Sequence, residues 1–100
     1  MTSACFSKIN GHSNPFYGWG GEDDDLYYRI RAANLEVVRF DAAVSNYTAL
    51  RHAAEKPNPK RHQILVTSKK SHMTEGLCSL NYTLPAHELL PLYTRLYVRV

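Results

Sequence analysis

The residues best suited to chemistry lie together, from Phe16 to Asp25, in the order Phe-Tyr-Gly-Trp-Gly-Gly-Glu-Asp-Asp-Asp. Glu22, Asp23, Asp24 and Asp25 are consecutive carboxylates that repel one another, so a fold keeps them adjacent mainly for a use. A carboxylate can serve as a general base toward a hydroxyl. Trp19 in front of them offers a flat apolar face of the kind that stacks on a sugar ring. Gly18, Gly20 and Gly21 allow turns and close backbone approach to a ligand. Three acids in a row are ordinarily a solvated helix cap. The Gly-Trp-Gly-Gly segment before them turns the reading toward a sugar-binding, acid/base site.

The elements that must carry these residues follow from pattern. Residues 10–21 are rich in Gly, Asn and Pro and read as a loop. A helix is expected to start near Asp23 or Asp24, because acids favour the positive end of the helix dipole. Leu26, Ile30 and Ala33 then share one face, with Arg29 and Arg31 toward the other end and Asn34 as a stop. Residues 36–40 and 44–50 read as short strands, and 61–72 as a helix carrying Ile64 and Leu65 inward. Residues 55–61, with Pro57 and Pro59, read as an exposed loop. Residues 79–84 and 92–100 read as strands, with Pro85 and Pro91 bracketing an irregular link. Residues 1–8 give little pattern. The sum is a mixed α and β chain.

The totals narrow the classes. One hundred residues make about one small domain. Composition is that of a globular protein, 44% hydrophobic and 21% charged, with aromatics leaning to Tyr. A net charge of +3 permits an anionic substrate such as a nucleotide. It does not argue for nucleic acid, since basic and aromatic residues do not interleave along one element. Cys5 and Cys78 have no metal-ligand spacing and leave one disulfide or two thiols open. No run of about 20 apolar residues or signal-peptide pattern is present. Two glycosylation sequons, at Asn46 and Asn81, suit a secretory lumen.

From Trp19 to Asp25 the sequence resembles the β-1,4-galactosyltransferase family. Further matches follow in the family's order: Ile9-Asn10-Gly11, Arg51-His52, Pro57 to Arg61, Gly76-Leu77 and Pro91 to Thr94. The resemblance implies an α/β fold, the C-terminal portion of a GT-A-type nucleotide-sugar glycosyltransferase, with a mixed sheet and helices and incomplete by itself. Residues 1–100 would be the C-terminal segment of the catalytic domain, with the UDP-binding half, its Asp-x-Asp metal motif and a single membrane anchor upstream. It implies an inverting, manganese-dependent enzyme of the Golgi lumen or membrane. Such an enzyme moves galactose or N-acetylgalactosamine from a UDP-sugar to the 4-hydroxyl of a glycan acceptor ending in N-acetylglucosamine.

Site roles carry over by the same resemblance. Asp23 is the base, Asp24 binds acceptor hydroxyls and Glu22 donor-sugar hydroxyls. Trp19, with Gly20 and Gly21, closes over the sugars and excludes water, which would hydrolyse the donor. His52 is a metal ligand, a role an imidazole can fill beside carboxylate oxygens. The family often places a Met ligand three residues earlier, where this chain has Ala49. Arg61 holds the acceptor's acetamide, with His62 (where the family has an aromatic residue) and Leu65 beside its methyl group. Two other readings stand beside this one: a non-catalytic sugar-binding module, and an inactive fragment.

Overall fold

The computed structural model describes residues 1–100, Met1–Val100. Its first helix, α1 (Ser3–Lys8), has no apolar stripe to announce it. It is held by a cap in which Thr2 Oγ1 accepts the Cys5 N–H at 3.2 Å. It ends where Asn10 and Gly11 both turn to positive φ, 58° and 65°.

The helix carrying the acids, α2 (Glu22–Ala32), begins as expected. Gly21 at φ 98° reverses the chain, and all four acids fall in the first turn. Asn34, at φ 54°, ends it. The face turned inward differs from the apolar stripe. Asp25 and Arg29 are the fully buried residues of α2, while Leu26, Ile30 and Ala33 are half-buried. Asp25 and Arg29 stand one turn apart and bond to each other, so they can enter the interior together.

Residues 36–40 form no strand, and Val37, Val38 and Phe40 are exposed. Residues 44–50 form none either. Asp41 Oδ1 accepts the Ala43 N–H at 2.8 Å and starts a single helical turn, α3 (Ala42–Ser45), which takes up Val44. Both segments have strand-like composition but no neighbouring strand to bond to, and composition alone does not make a ladder. The expected helix at 61–72 is α4 (Arg61–Ser71), introduced by Asn58, whose Oδ1 accepts the Lys60 N–H at 2.9 Å.

A short 3-10 turn, Leu77–Ser79, leads to a hairpin of β1 (Thr83–Leu89) and β2 (Thr94–Arg99). The sheet is two-stranded and antiparallel, not mixed. The first strand starts later than expected and runs through Pro85 instead of stopping before it. Pro85 sits where the register slips between Thr83 and Ala86, a place that needs no amide donor. The link is the tight turn after β1, closed by the Leu90 N–H on Tyr93 O at 2.9 Å. Cys5 and Cys78 are free thiols. No helix is long and apolar enough to cross a membrane.

Helices α2 and α4 pack on each other, yet Ile9 is the one buried hydrophobic residue. Every residue of β1 and β2 is exposed. The accessible surface is 8741 Å² for an 11.4 kDa chain. A compact monomer of that mass exposes about 5,800 Å². The radius of gyration is 16.5 Å, against about 13 Å for a compact domain of this length. Apolar area left open in this way binds other apolar surface. Residues 1–100 produced alone are therefore expected to enhance ANS fluorescence and to melt over a broad range. A sharp two-state transition without dye binding would contradict this exposure.

Candidate functional site

Two loops meet at the glycine-rich segment. The Asn58 N–H donates to Trp19 O at 3.0 Å, and Asn58 Nδ2 donates to Tyr17 O at 2.9 Å. One asparagine thus grips both sides of Gly18. Pro57 forms a parallel bridge with Trp19. The next residues bring α4 up to the loop, and the Arg61 guanidinium stacks over the Trp19 ring at 5.6 Å from its centroid. Such a contact is worth about 0.5–1 kcal/mol at an exposed site. Trp19 remains 52% exposed.

The glycines are required by this approach. Gly20 has φ 116°, and a Cβ there would stand 2.6 Å from Arg61 Cδ. Gly21 has φ 98°, with Phe16 at 3.0 Å from the same imagined atom. The Gly20 N–H donates to Glu22 Oε2 at 2.9 Å, so Glu22 braces the loop that precedes it.

The four acids separate by helix geometry. With about 100° between successive residues, inward placement of Asp25 leaves Asp24 to one side and Asp23 on the opposite face. Asp23 and Asp24 are exposed and enter none of the ion pairs, Glu22 is half-buried, and Asp25 is 1% exposed. The run that reads as one acidic patch is thus two free carboxylates, one loop brace and one buried ion-pair partner.

That buried partner belongs to a cluster the sequence reading did not contain. Arg29 Nε donates to Asp25 Oδ2 at 2.7 Å, and Nη2 donates to Glu75 Oε2 at 2.9 Å and to Ser68 Oγ at 3.2 Å. Arg29 Nη1 donates to the carbonyls of Glu75, His72 and Asn10 at 2.9, 3.2 and 3.4 Å. Ser68 Oγ donates to Asp25 Oδ1 at 2.6 Å. No buried side-chain polar atom lacks a partner. The four-residue spacing of Asp25 and Arg29 was a legible signal, whereas nothing local marks Ser68 or Glu75.

The remaining site residues lie apart. His62 is exposed and Leu65 half-buried on α4, beside Arg61. His52 is exposed in a stretch without helix or strand, its Nδ1 2.9 Å from Ala53 O. No three His, Cys, Asp or Glu side chains gather as a metal site. These residues therefore do not fit a self-contained manganese centre. The principal cavities lie away from Trp19, Asp23, Asp24 and His52. One of about 260 Å³, on α4, is lined by Pro15, Lys60, Gln63, Ile64 and Thr67.

Comparison with known proteins places this arrangement. A family profile described as the N-terminal domain of galactosyltransferase matches residues 1–53, the stretch that holds the glycine loop, the acids and His52. The chain belongs to the β-1,4-galactosyltransferase family. It is 39% identical over 99 residues to human beta-1,4-galactosyltransferase 3, with 96% of this chain aligned. It is 37% identical over 103 residues to bovine beta-1,4-galactosyltransferase 1 and 34% identical to Chinese hamster (Cricetulus griseus) beta-1,4-galactosyltransferase 2. The chain spans about a quarter of the length of these relatives: 25%, 26% and 28%. Within this galactosyltransferase segment, Trp19, Gly20, Gly21, Glu22 and Arg61 come together, with Asp23 and Asp24 next to them at the start of α2. His52 stays outside that group.

Proposed function

We propose that this chain is the acceptor-side part of an inverting galactosyltransferase, with Asp23 as its general base. The observation that carries the reading is the junction of the Trp19 loop, Arg61 and the two free carboxylates that open α2. Asp23 takes the proton from the acceptor's 4-hydroxyl as that oxygen attacks C1 of the donor sugar. The bond from C1 to the β-phosphate oxygen of UDP breaks on the opposite face, so the configuration inverts and UDP leaves with the bonding pair. General-base assistance of this kind contributes about 10²–10⁴ in rate.

Asp24 orients acceptor hydroxyls. Glu22, with one oxygen committed to the Gly20 N–H, offers the other to the donor sugar. Trp19, swinging on its glycines, covers the ring and keeps water from the donor. Arg61 binds the acceptor's acetamide, with His62 and Leu65 flanking its methyl. The acceptor class is a glycan ending in N-acetylglucosamine, and the donor is UDP-galactose or its N-acetylated counterpart. His52 would offer one imidazole to a manganese ion. Such an ion, when held, would supply positive charge to offset that of the departing diphosphate. The setting is the Golgi lumen, with any membrane attachment made by an anchor outside residues 1–100, and nucleic acid plays no part.

The openness of the Trp19 surface also favours a second reading, a module that holds a glycan without reaction. One experiment separates the two. The full-length chain is incubated with UDP-galactose, manganese and an N-acetylglucosamine-terminated glycan, and UDP release and linkage are followed by NMR. A new β-linkage with stoichiometric UDP supports transfer. Glycan binding that needs neither donor nor metal, with no UDP released, supports the module and overturns the enzyme.

A further inference from the structure

The Asp25–Arg29–Glu75 cluster grips the chain on both sides of the glycine-rich loop. On the far side is Asp25, in the first turn of α2. On the near side, Glu75 Oε2 accepts the Ser13 hydroxyl at 2.8 Å, and Glu75 Oε1 accepts the Asn14 N–H. Arg29 lies between and bonds both carboxylates. Residues 15–24, which include Trp19 and the two free acids, therefore run between two points of one buried ionic cluster, with Asn58 holding the Tyr17 and Trp19 carbonyls midway. Inside that span the backbone is permissive, with Gly18, Gly20 and Gly21 all at positive φ.

The seat of the cluster is built to close tolerance. Gly76 has φ 135°, and a Cβ there would stand 2.7 Å from Arg29 Nη1 and would collide with Asn10 O. Asn10 is committed in the same place: its Nδ2 donates to the His72 and Glu75 carbonyls, and its Oδ1 accepts the Cys78 N–H at 2.8 Å. Arg29 is 0% exposed and all its guanidinium nitrogens are bonded. Charge-assisted bonds to a planar fork add geometric specificity as well as energy, and these tie α2 to the turn that carries Glu75.

We infer that Asp25, Arg29 and Glu75 are positioning residues for the reaction. Their cluster fixes the rotation of α2 about its axis, and with it the direction of Asp23 and Asp24. It also fixes the two ends between which the Trp19 loop swings. The inference rests on the proposed transferase reading for its link to turnover, but not for its effect on the loop. It assigns the fourth acid of the run a task distinct from the other three.

The test uses the full-length chain with Glu75→Gln, which keeps the side chain's shape and removes the charge that links Arg29 to the Asn14 side of the loop. The second variant is Arg29→Lys, which keeps the charge and loses the fork. Turnover is expressed per folded molecule, and access of acrylamide to Trp19 is read by fluorescence. For Glu75→Gln the inference expects kcat to fall about tenfold or more, since misplacement of about 1 Å can cost up to 10²-fold. It also expects the Trp19 quenching constant to rise about twofold. For Arg29→Lys, both effects should be larger.

A purely structural cluster would lower the melting temperature and leave kcat per folded molecule and Trp19 access unchanged. That outcome in Glu75→Gln overturns the inference, even if Arg29→Lys fails to fold. Asp23→Asn is run in parallel. Full turnover in Asp23→Asn, with altered Trp19 access in Glu75→Gln, refutes the base assignment and supports the cluster's hold on the loop. Lost turnover in Asp23→Asn with an unaffected Glu75→Gln leaves the base assignment standing and overturns this inference.

Discussion

Asp23→Asn in the full-length chain is expected to lower galactose transfer by about 10²–10⁴-fold while leaving the fold intact. Asparagine keeps the size and one oxygen of the side chain but cannot accept a proton at neutral pH. Asp23 is exposed on the face of α2 opposite Asp25 and enters no ion pair, so the change removes no internal contact. Its effect on stability should stay within about 0.5 kcal/mol, as for other surface substitutions. The loss should appear in kcat, with the acceptor's KM little changed, because a proton is accepted only as the bond forms. Initial rates across acceptor concentrations, with a thermal melt of the same preparation, check both halves. Turnover within threefold of the parent would remove Asp23 from the reaction. Asp24→Asn serves as the comparison, since that neighbour is assigned to binding and should raise KM instead.

Arg29→Met is expected to cost about 3–5 kcal/mol of stability, the penalty for leaving a buried charge without its partner. The Asp25 side chain is 2% exposed and that of Glu75 22% exposed, so Asp25 bears most of the loss. Against a total of about 5–15 kcal/mol for a typical protein, this removes a large share of the margin and brings a protein at the low end of that range close to its folding midpoint. The sign can be reversed in a way only a buried charge allows. Adding Asp25→Leu to Arg29→Met removes the orphaned carboxylate and replaces it with apolar volume. The double variant should then be more stable than Arg29→Met alone. Urea titrations of the full-length single and double variants provide the measurement. A double variant less stable than the single one would show that Asp25 finds another partner and that its charge is not the cost.

The parts of the fold that could be read from the chain are those governed by short-range physics. The start of α2 follows from its acids and Gly21, its stop from Asn34, and α4 from Asn58 and the residues after Pro59. Failure came where distant partners decide. Residues 36–40 and 44–50 have strand composition and no strand beside them. Leu26, Ile30 and Ala33 share a half-buried face, but the fully buried positions of α2 are Asp25 and Arg29, because Arg29 finds Ser68 and Glu75 across the chain. The candidate site divides along the same line. Trp19, the glycines and the acids were legible as a motif, whereas the stacking of Arg61 on Trp19 depends on a contact between distant segments. The separate fates of the four acids were not, because composition shows a run of like charges and only a helix interior sorts them.

The guanidinium resting on Trp19 covers part of the indole that the proposed sugar contact would use. In the proposed reading, a pyranose that stacks on the indole face under Arg61 displaces that guanidinium. The displaced cation is then released toward the acetamide of the newcomer. Affinity at this spot is the difference between two stacked states, and a carbohydrate lacking the amide would forfeit the compensation that one bearing it receives.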